Sequence, residues 1–259
     1  MRFIDHWIHH SAGRLFVREW PADADAALPP LVLLHDSLGC VELWRDFPAR
    51  LREATGRRVI AYDRAGFGRS DARVEPPSRE FVAEEATTWF PRLREALGLG
   101  RFALLGHSVG GGMAVHIAAQ HADACAALVT IAAQAFVEAR TLDGLRAARV
   151  AFAEPAALER LVRYHGDKAP WVLAAWLDTW LDPAFAGWSL APVLPAVRCP
   201  VLALHGELDE YGSATHPRLI GELAAGPVSV QILPGMGHVP QREQPDDVVR
   251  RVAGFLATT

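Results

Sequence analysis

Short apolar runs alternate along this chain with longer stretches of helical periodicity, and that alternation restricts the available folds more than any other feature. Residues 31–34, 58–62, 102–105, 126–131, 201–204 and 228–233 read as strands. Residues 41–55, 78–97, 109–121, 214–224 and 246–256 read as helices, with Gly56 and Gly98 as stop signals for the first two. Ahead of them, residues 3–8 and 14–20 read as a hairpin around Ser11-Ala12-Gly13. Strands that are continuously apolar, such as Leu31-Val32-Leu33-Leu34, have to be covered on both faces. The expected class is therefore α/β: a mostly parallel central sheet with helices on both faces. Ligands of such sheets bind beyond the carboxyl ends of the strands, so the loops there carry the functional reading.

Residues 134–195 break the alternation. They contain helical stretches and no convincing strand, with Trp171, Trp176, Trp180 and Trp188 close together. The expected organisation is a core of residues 1–133 and 196–259 interrupted by a helical insertion at 134–195. A formal net charge of −4 gives no electrostatic reason for a nucleic-acid partner. Cys40, Cys125 and Cys199 are widely spaced and odd in number, which fits a reducing, cytoplasmic home better than a disulfide framework. The first residues, with Asp5 and three histidines, do not read as an export signal, and no apolar run reaches the ~20 residues of a membrane span.

Gly106-His107-Ser108-Val109-Gly110 fits G-x-S-x-G, directly after an apolar strand and directly before a helix. A turn this sharp leaves no room for flanking side chains, hence the glycines, and it presents the Ser108 hydroxyl at a helix N-terminus. The competing readings are a helix-capping serine or a phosphate-binding loop. No Lys follows the glycines, as a P-loop requires, and the cluster lies too far along the chain for a dinucleotide fingerprint.

A serine nucleophile needs a base. Hydrolases built on this elbow place the acid and then the histidine after the serine. His238 follows the last strand in the Gly-rich loop Pro234-Gly235-Met236-Gly237-His238, whereas His205 ends the preceding strand and leaves no later acid–His pair. The loop His205-Gly206-Glu207-Leu208-Asp209-Glu210 offers three carboxylates, of which Asp209 is the expected partner of His238, with Glu207 and Glu210 as alternatives.

With GHSVGG, GMGHVP and Asp63-Arg64-Ala65-Gly66-Phe67-Gly68-Arg69-Ser70 together, the chain resembles the α/β-hydrolase fold superfamily of serine esterases, C–C hydrolases and cofactor-free haloperoxidases, over nearly all of its length outside the Trp-rich insertion. The resemblance implies a Ser108–His238–Asp209 triad and an oxyanion hole from the backbone N–H groups of Ser37 and Val109. It also implies a lid over the nucleophile at 134–195. With no HExxH, no zinc-like Cys/His spacing and no cofactor motif, neither a metal nor a cofactor is expected. Relatives commonly carry Gly where this chain has Asp36, which then caps its own turn or reaches the pocket mouth. The Asp63–Ser70 loop reads as structural, with Asp63 and Arg64 pairing locally, and Glu243 as a structural partner near the C-terminus.

Asp36, Leu38, His107, Phe136, Trp171, Trp176 and Val239 are the expected pocket residues, suited to a small hydrophobic or aromatic carboxylic ester. C–C bond or lactone hydrolysis is the alternative within the fold, lowered by Val239 where ring-cleavage hydrolases commonly have Trp. Dehalogenases and epoxide hydrolases use Asp where this chain has Ser108. A non-catalytic receptor or scaffold is the alternative of another class. The expected partners are a small-molecule substrate and, at most, a second copy in a homodimer, with neither nucleic acid nor membrane.

Overall fold

All four residues of Leu31–Leu34 are buried, because the strand they form, β3, runs through the middle of a sheet clad on both sides. The structure, a computed structural model, describes residues 2–22 and 28–259. The other strands are β1 (Ile4–His10), β2 (Gly13–Trp20), β4 (Val59–Tyr62), β5 (Phe102–His107), β6 (Cys125–Ile131), β7 (Val201–Gly206) and β8 (Val228–Leu233). They form an eight-stranded sheet in the order β1-β2-β4-β3-β5-β6-β7-β8. The hairpin β1–β2 is antiparallel and β2 joins β4 antiparallel; every later pairing is parallel.

The helices are α1 (Phe47–Thr55), α2 (Phe81–Glu84), α3 (Phe90–Ala96), α4 (Val109–Gln120), α5 (Ala139–Ala151), α6 (Pro155–His165), α7 (Ala169–Trp180), α8 (Thr215–Leu223), α9 (Pro240–Glu243) and α10 (Pro245–Leu256). Because side chains alternate along a strand, the sheet has two apolar faces. Leu31, Leu33 and Ala61 pack with Phe47 and Leu51 of α1 and Val248 and Val252 of α10. Val32, Leu34 and Ile60 pack with Phe90 and Leu93 of α3 and Met113 and Ile117 of α4. Helices α5, α6 and α7 occupy the connection between β6 and β7, where Phe136 and Ser189 make an isolated antiparallel bridge. Among the described residues, no helix is long and apolar enough to cross a membrane.

Of two helices expected to be continuous, one is broken and the other runs on with one widened turn, each a few residues before a proline. Residues 41–55 divide into a 3₁₀ turn at Val41–Trp44 and α1, with Arg45 at φ 55° between them. Pro48 has no N–H to offer the Trp44 carbonyl, so the helix restarts there. In 78–97 the turn Glu85–Trp89 is π-helical, and Pro91 likewise cannot bond the carbonyl four residues back. Gly56 stops α1 as expected, in the left-handed conformation at φ 66°.

Asp63 and Arg64 do not pair. The Asp63 carboxylate accepts the N–H groups of Val41 (2.6 Å) and Arg69 (2.7 Å), tying the loop after β4 to the one after β3. Arg64 turns the other way, donating from Nη2 to the Asp36 carbonyl at 2.8 Å. Asp63→Ala would orphan two backbone donors, and we expect a loss of about 3 kcal/mol in denaturant unfolding. A loss under about 1 kcal/mol would show that the two loops hold without it. Cys125 and Cys199, distant in sequence, bring their thiols to 3.7 Å without a disulfide.

Candidate active site

Ser108 links the end of β5 to the start of α4 at φ 56° and ψ −125°, a conformation rare for any residue but Gly. The neighbouring glycines make the turn sterically feasible. A Cβ on Gly106 would lie 2.2 Å from the Gly110 carbonyl oxygen, and one on Gly110 would lie 2.3 Å from the Leu34 carbonyl oxygen. Backbone is the obstacle in both cases, so no side-chain movement relieves it. Gly110→Ala is expected to lower stability by about 3 kcal/mol or more. A thermal melt within a degree or two of wild type would contradict the packing.

The backbone holds Ser108 from two sides: its N–H donates to Ile131 of β6 (2.9 Å) and its carbonyl accepts from Gly111 (2.9 Å). Its hydroxyl donates to Gln134 Oε1 at 3.1 Å. The Val109 N–H opens α4 and has no intrahelical acceptor. The Ser37 N–H lies in the loop after β3, where Asp36 Oδ1 accepts from Leu38 (3.1 Å) and the Asp36 carbonyl accepts from Gly39 (3.2 Å).

Asp209, fully buried beyond β7, accepts N–H groups from Tyr211 (2.8 Å) and Gly212 (3.1 Å). Both its carboxylate oxygens lie 2.9 Å from His238 Nδ1, so that nitrogen carries the proton and Nε2 is left as the basic atom. Glu243 fixes the His238 loop by accepting from Gly237 (2.7 Å) and Val239 (3.2 Å). Burial alone would raise the Asp209 pKa, but the hydrogen bond and charge of His238 hold it below 3.8. Burial alone would lower that of His238, but the hydrogen bond and charge of Asp209 lift it above 6.5. His205 lies on the far side, 3.5 Å from Asp209 and bonded to the Gly212 carbonyl at 3.0 Å, with burial favouring its neutral form.

Ser108, His238, Ser37 and Asp36 border one cavity of about 290 Å³. Leu38, Trp176 and Val239 line it, as the sequence suggests. His107, Phe136 and Trp171 do not. His107 sits behind the site: Nε2 donates to the His238 carbonyl at 2.8 Å, while Nδ1 lies 3.3 Å from Asp36 Oδ2. Phe136 packs on His216, 4.4 Å between ring centroids, and Trp171 lies edge-on to Phe67 at 5.6 Å. Asp36 caps its turn and also reaches the cavity, so both readings of it apply at once. His107 thus lies between the loop after β3, which carries Asp36, and the loop that carries His238.

The sequence reading missed Gln134, Tyr211, Thr141, Leu145 and Trp180 in the lining. Gln134 follows β6 at a strand carboxyl end, and Tyr211 stands two residues past Asp209 with its ring 4.9 Å from that of His238. Their positions were a signal; their side chains were not. Cut from a strand terminus and a loop, they carry no periodicity to mark which way they face.

The fold and the elbow define an α/β hydrolase architecture. Residues 29–188 match the family model described as alpha/beta hydrolase fold, and the chain belongs to that family. It is 38% identical over 89 residues to a proline iminopeptidase from Lactobacillus delbrueckii subsp. lactis, covering 33% of this chain and 29% of the relative. It is 39% identical over 106 residues to a putative non-heme haloperoxidase of Mycobacterium phage D29, covering 41% and 36%. The chain thus aligns with little more than a third of the length of these relatives at most. Among solved structures, the enol-lactonase from Burkholderia xenovorans superposes with a TM-score of 0.75 at 22% identity, covering 97% of this chain and 100% of that one. At that identity the likeness concerns the fold.

Proposed function

We propose that the chain is a serine hydrolase of small carboxylic esters, with Ser108 as nucleophile, His238 as base and Asp209 as the acid that orients it. The observation that carries this reading is the buried Asp209–His238 pair, at 2.9 Å, bordering the same cavity as the strained Ser108 elbow. The Ser108 hydroxyl turns from Gln134 to His238 Nε2, loses its proton there and attacks the ester carbonyl carbon. The N–H groups of Ser37 and Val109 take the developing oxyanion, which needs donors already in place. His238 then gives the proton to the leaving alkoxide, and water attacks the acyl-enzyme by the same route. Asp209 stabilises the imidazolium without taking the proton.

A cavity of about 290 Å³ walled by Leu38, Leu145, Trp176 and Trp180 suits a short acyl or aromatic ester. Residues 134–195, which supply Gln134, Leu145 and both tryptophans, act in this reading as a lid over a core of 1–133 and 196–259. The test is a fluorophosphonate label with peptide mapping, alongside a p-nitrophenyl ester panel of increasing acyl length. Labelling confined to Ser108 with best turnover at short chains is the expected result. No labelling, with tight ligand binding and no turnover, would transfer the chain to the receptor class.

A further inference from the structure

A second cavity, of about 30 Å³, shares Ser37, Trp176 and Trp180 with the one that holds Ser108. Its charged lining is Arg64, Arg73 and Glu85. Arg64 is only 5% exposed. Its Nη2 is committed to the Asp36 carbonyl and its guanidinium lies 4.0 Å above the Phe67 ring, but its Nε is occluded with no partner. Among the described residues no carboxylate forms an ion pair with it, and Arg73 at the rim has neither hydrogen bond nor ion pair. A buried guanidinium without a counter-ion is costly, and its desolvation is offset only when an anion arrives.

Glu85 acts on Arg64 through its charge but makes no hydrogen bond or ion pair with it. Tyr62 donates to Glu85 Oε1 at 2.7 Å; burial raises the pKa of Glu85, while the charge of Arg64 and that hydrogen bond work against the rise. Even when ionised, it leaves one positive charge in excess over the two arginines. A volume of about 30 Å³ has room for about two water-sized atoms, the footprint of a carboxylate's two oxygens. Val109 also lines this cavity. Ser37 thus borders both cavities and Val109 the smaller, so an ester carbonyl held beside them would direct its acyl chain from the larger cavity towards the smaller, which takes the terminal carboxylate alone.

We propose that Arg64 and Arg73 form a subsite for a carboxylate at the far end of the acyl chain, so that the favoured substrates are half-esters of small dicarboxylic acids. This rests on the reading of Ser108 as nucleophile and adds the substrate class.

The experiment compares 4-nitrophenyl hydrogen glutarate, which ends in a carboxylate, with 4-nitrophenyl pentanoate, which has the same number of acyl carbons and no charge. Wild type is expected to favour the glutarate in kcat/KM by at least about tenfold, the scale of a charge-assisted hydrogen bond. The ratio should fall towards unity in Arg64→Met and in Arg73→Ala; among the described residues the second has no hydrogen bond or ion pair to lose. A wild-type preference for pentanoate, or a ratio unchanged in both variants, overturns the proposal. A binding arm is independent of turnover: Ser108→Ala protein is titrated with monomethyl and dimethyl glutarate, read by the fluorescence of the lining tryptophans. Tighter half-ester binding that depends on the arginines upholds the subsite even if no ester is hydrolysed, which would count against the hydrolase reading alone. Equal or undetectable binding of both overturns the subsite.

Discussion

Ser108→Ala is expected to lower ester kcat at least about ten-thousand-fold, because the elbow, base and oxyanion donors remain but nothing is left to form the acyl-enzyme. The fold should survive. The bonds that anchor position 108, to Ile131 and from Gly111, are made by its backbone, and among the described residues its side chain hydrogen-bonds only to Gln134. Stopped-flow turnover of a p-nitrophenyl ester, with circular dichroism as the folding control, reads both halves. A drop below about tenfold in well-folded protein would mean that the nucleophile is elsewhere.

Asp209→Asn should cost about a thousandfold or more in kcat. The amide can donate to His238 Nδ1, which would turn the imidazole to the wrong tautomer and leave no basic atom facing Ser108. The pH profile separates this from mere damage. Acylation requires neutral His238, so wild-type kcat/KM should rise with pH through a midpoint above 6.5, since Asp209 holds the pKa of His238 up against burial. Without the carboxylate charge, burial prevails and the residual activity should titrate at lower pH.

Stability moves with the same groups. The raised pKa of His238 contributes stability that is complete below 6.5 and lost as pH rises through its folded value. The lowered pKa of Asp209 contributes stability that is complete above 3.8 and lost as pH falls through its folded value. The stability gap between wild type and Asp209→Asn should therefore be widest between pH 3.8 and 6.5 and narrow on either side. A gap that does not vary with pH would place the two side chains outside a common ion pair.

The strands around the elbow were legible because their apolar runs have one environment only: both faces of β3, β5 and β6 are covered, so almost any neighbour will do. The loop residues Ser108, Asp209 and His238 were legible from order and local composition, since a sharp turn demands Gly106 and Gly110 wherever it occurs. The break at Arg45 and the π turn at Glu85–Trp89 were signalled by Pro48 and Pro91, which apolar periodicity alone overlooks.

By itself, then, the order of residues determined the alternation, the covered sheet and the three side chains carried to its carboxyl edge, because those depend on backbone geometry and local hydrophobic pattern. Only the tertiary structure decided that His107 turns away to bind the His238 carbonyl, that Gln134 holds the serine hydroxyl, and that Arg64 lies buried with its Nε unbonded. Each of those depends on which distant segment fills the space beside it. Contacts between segments tens of residues apart leave no periodic trace in either one.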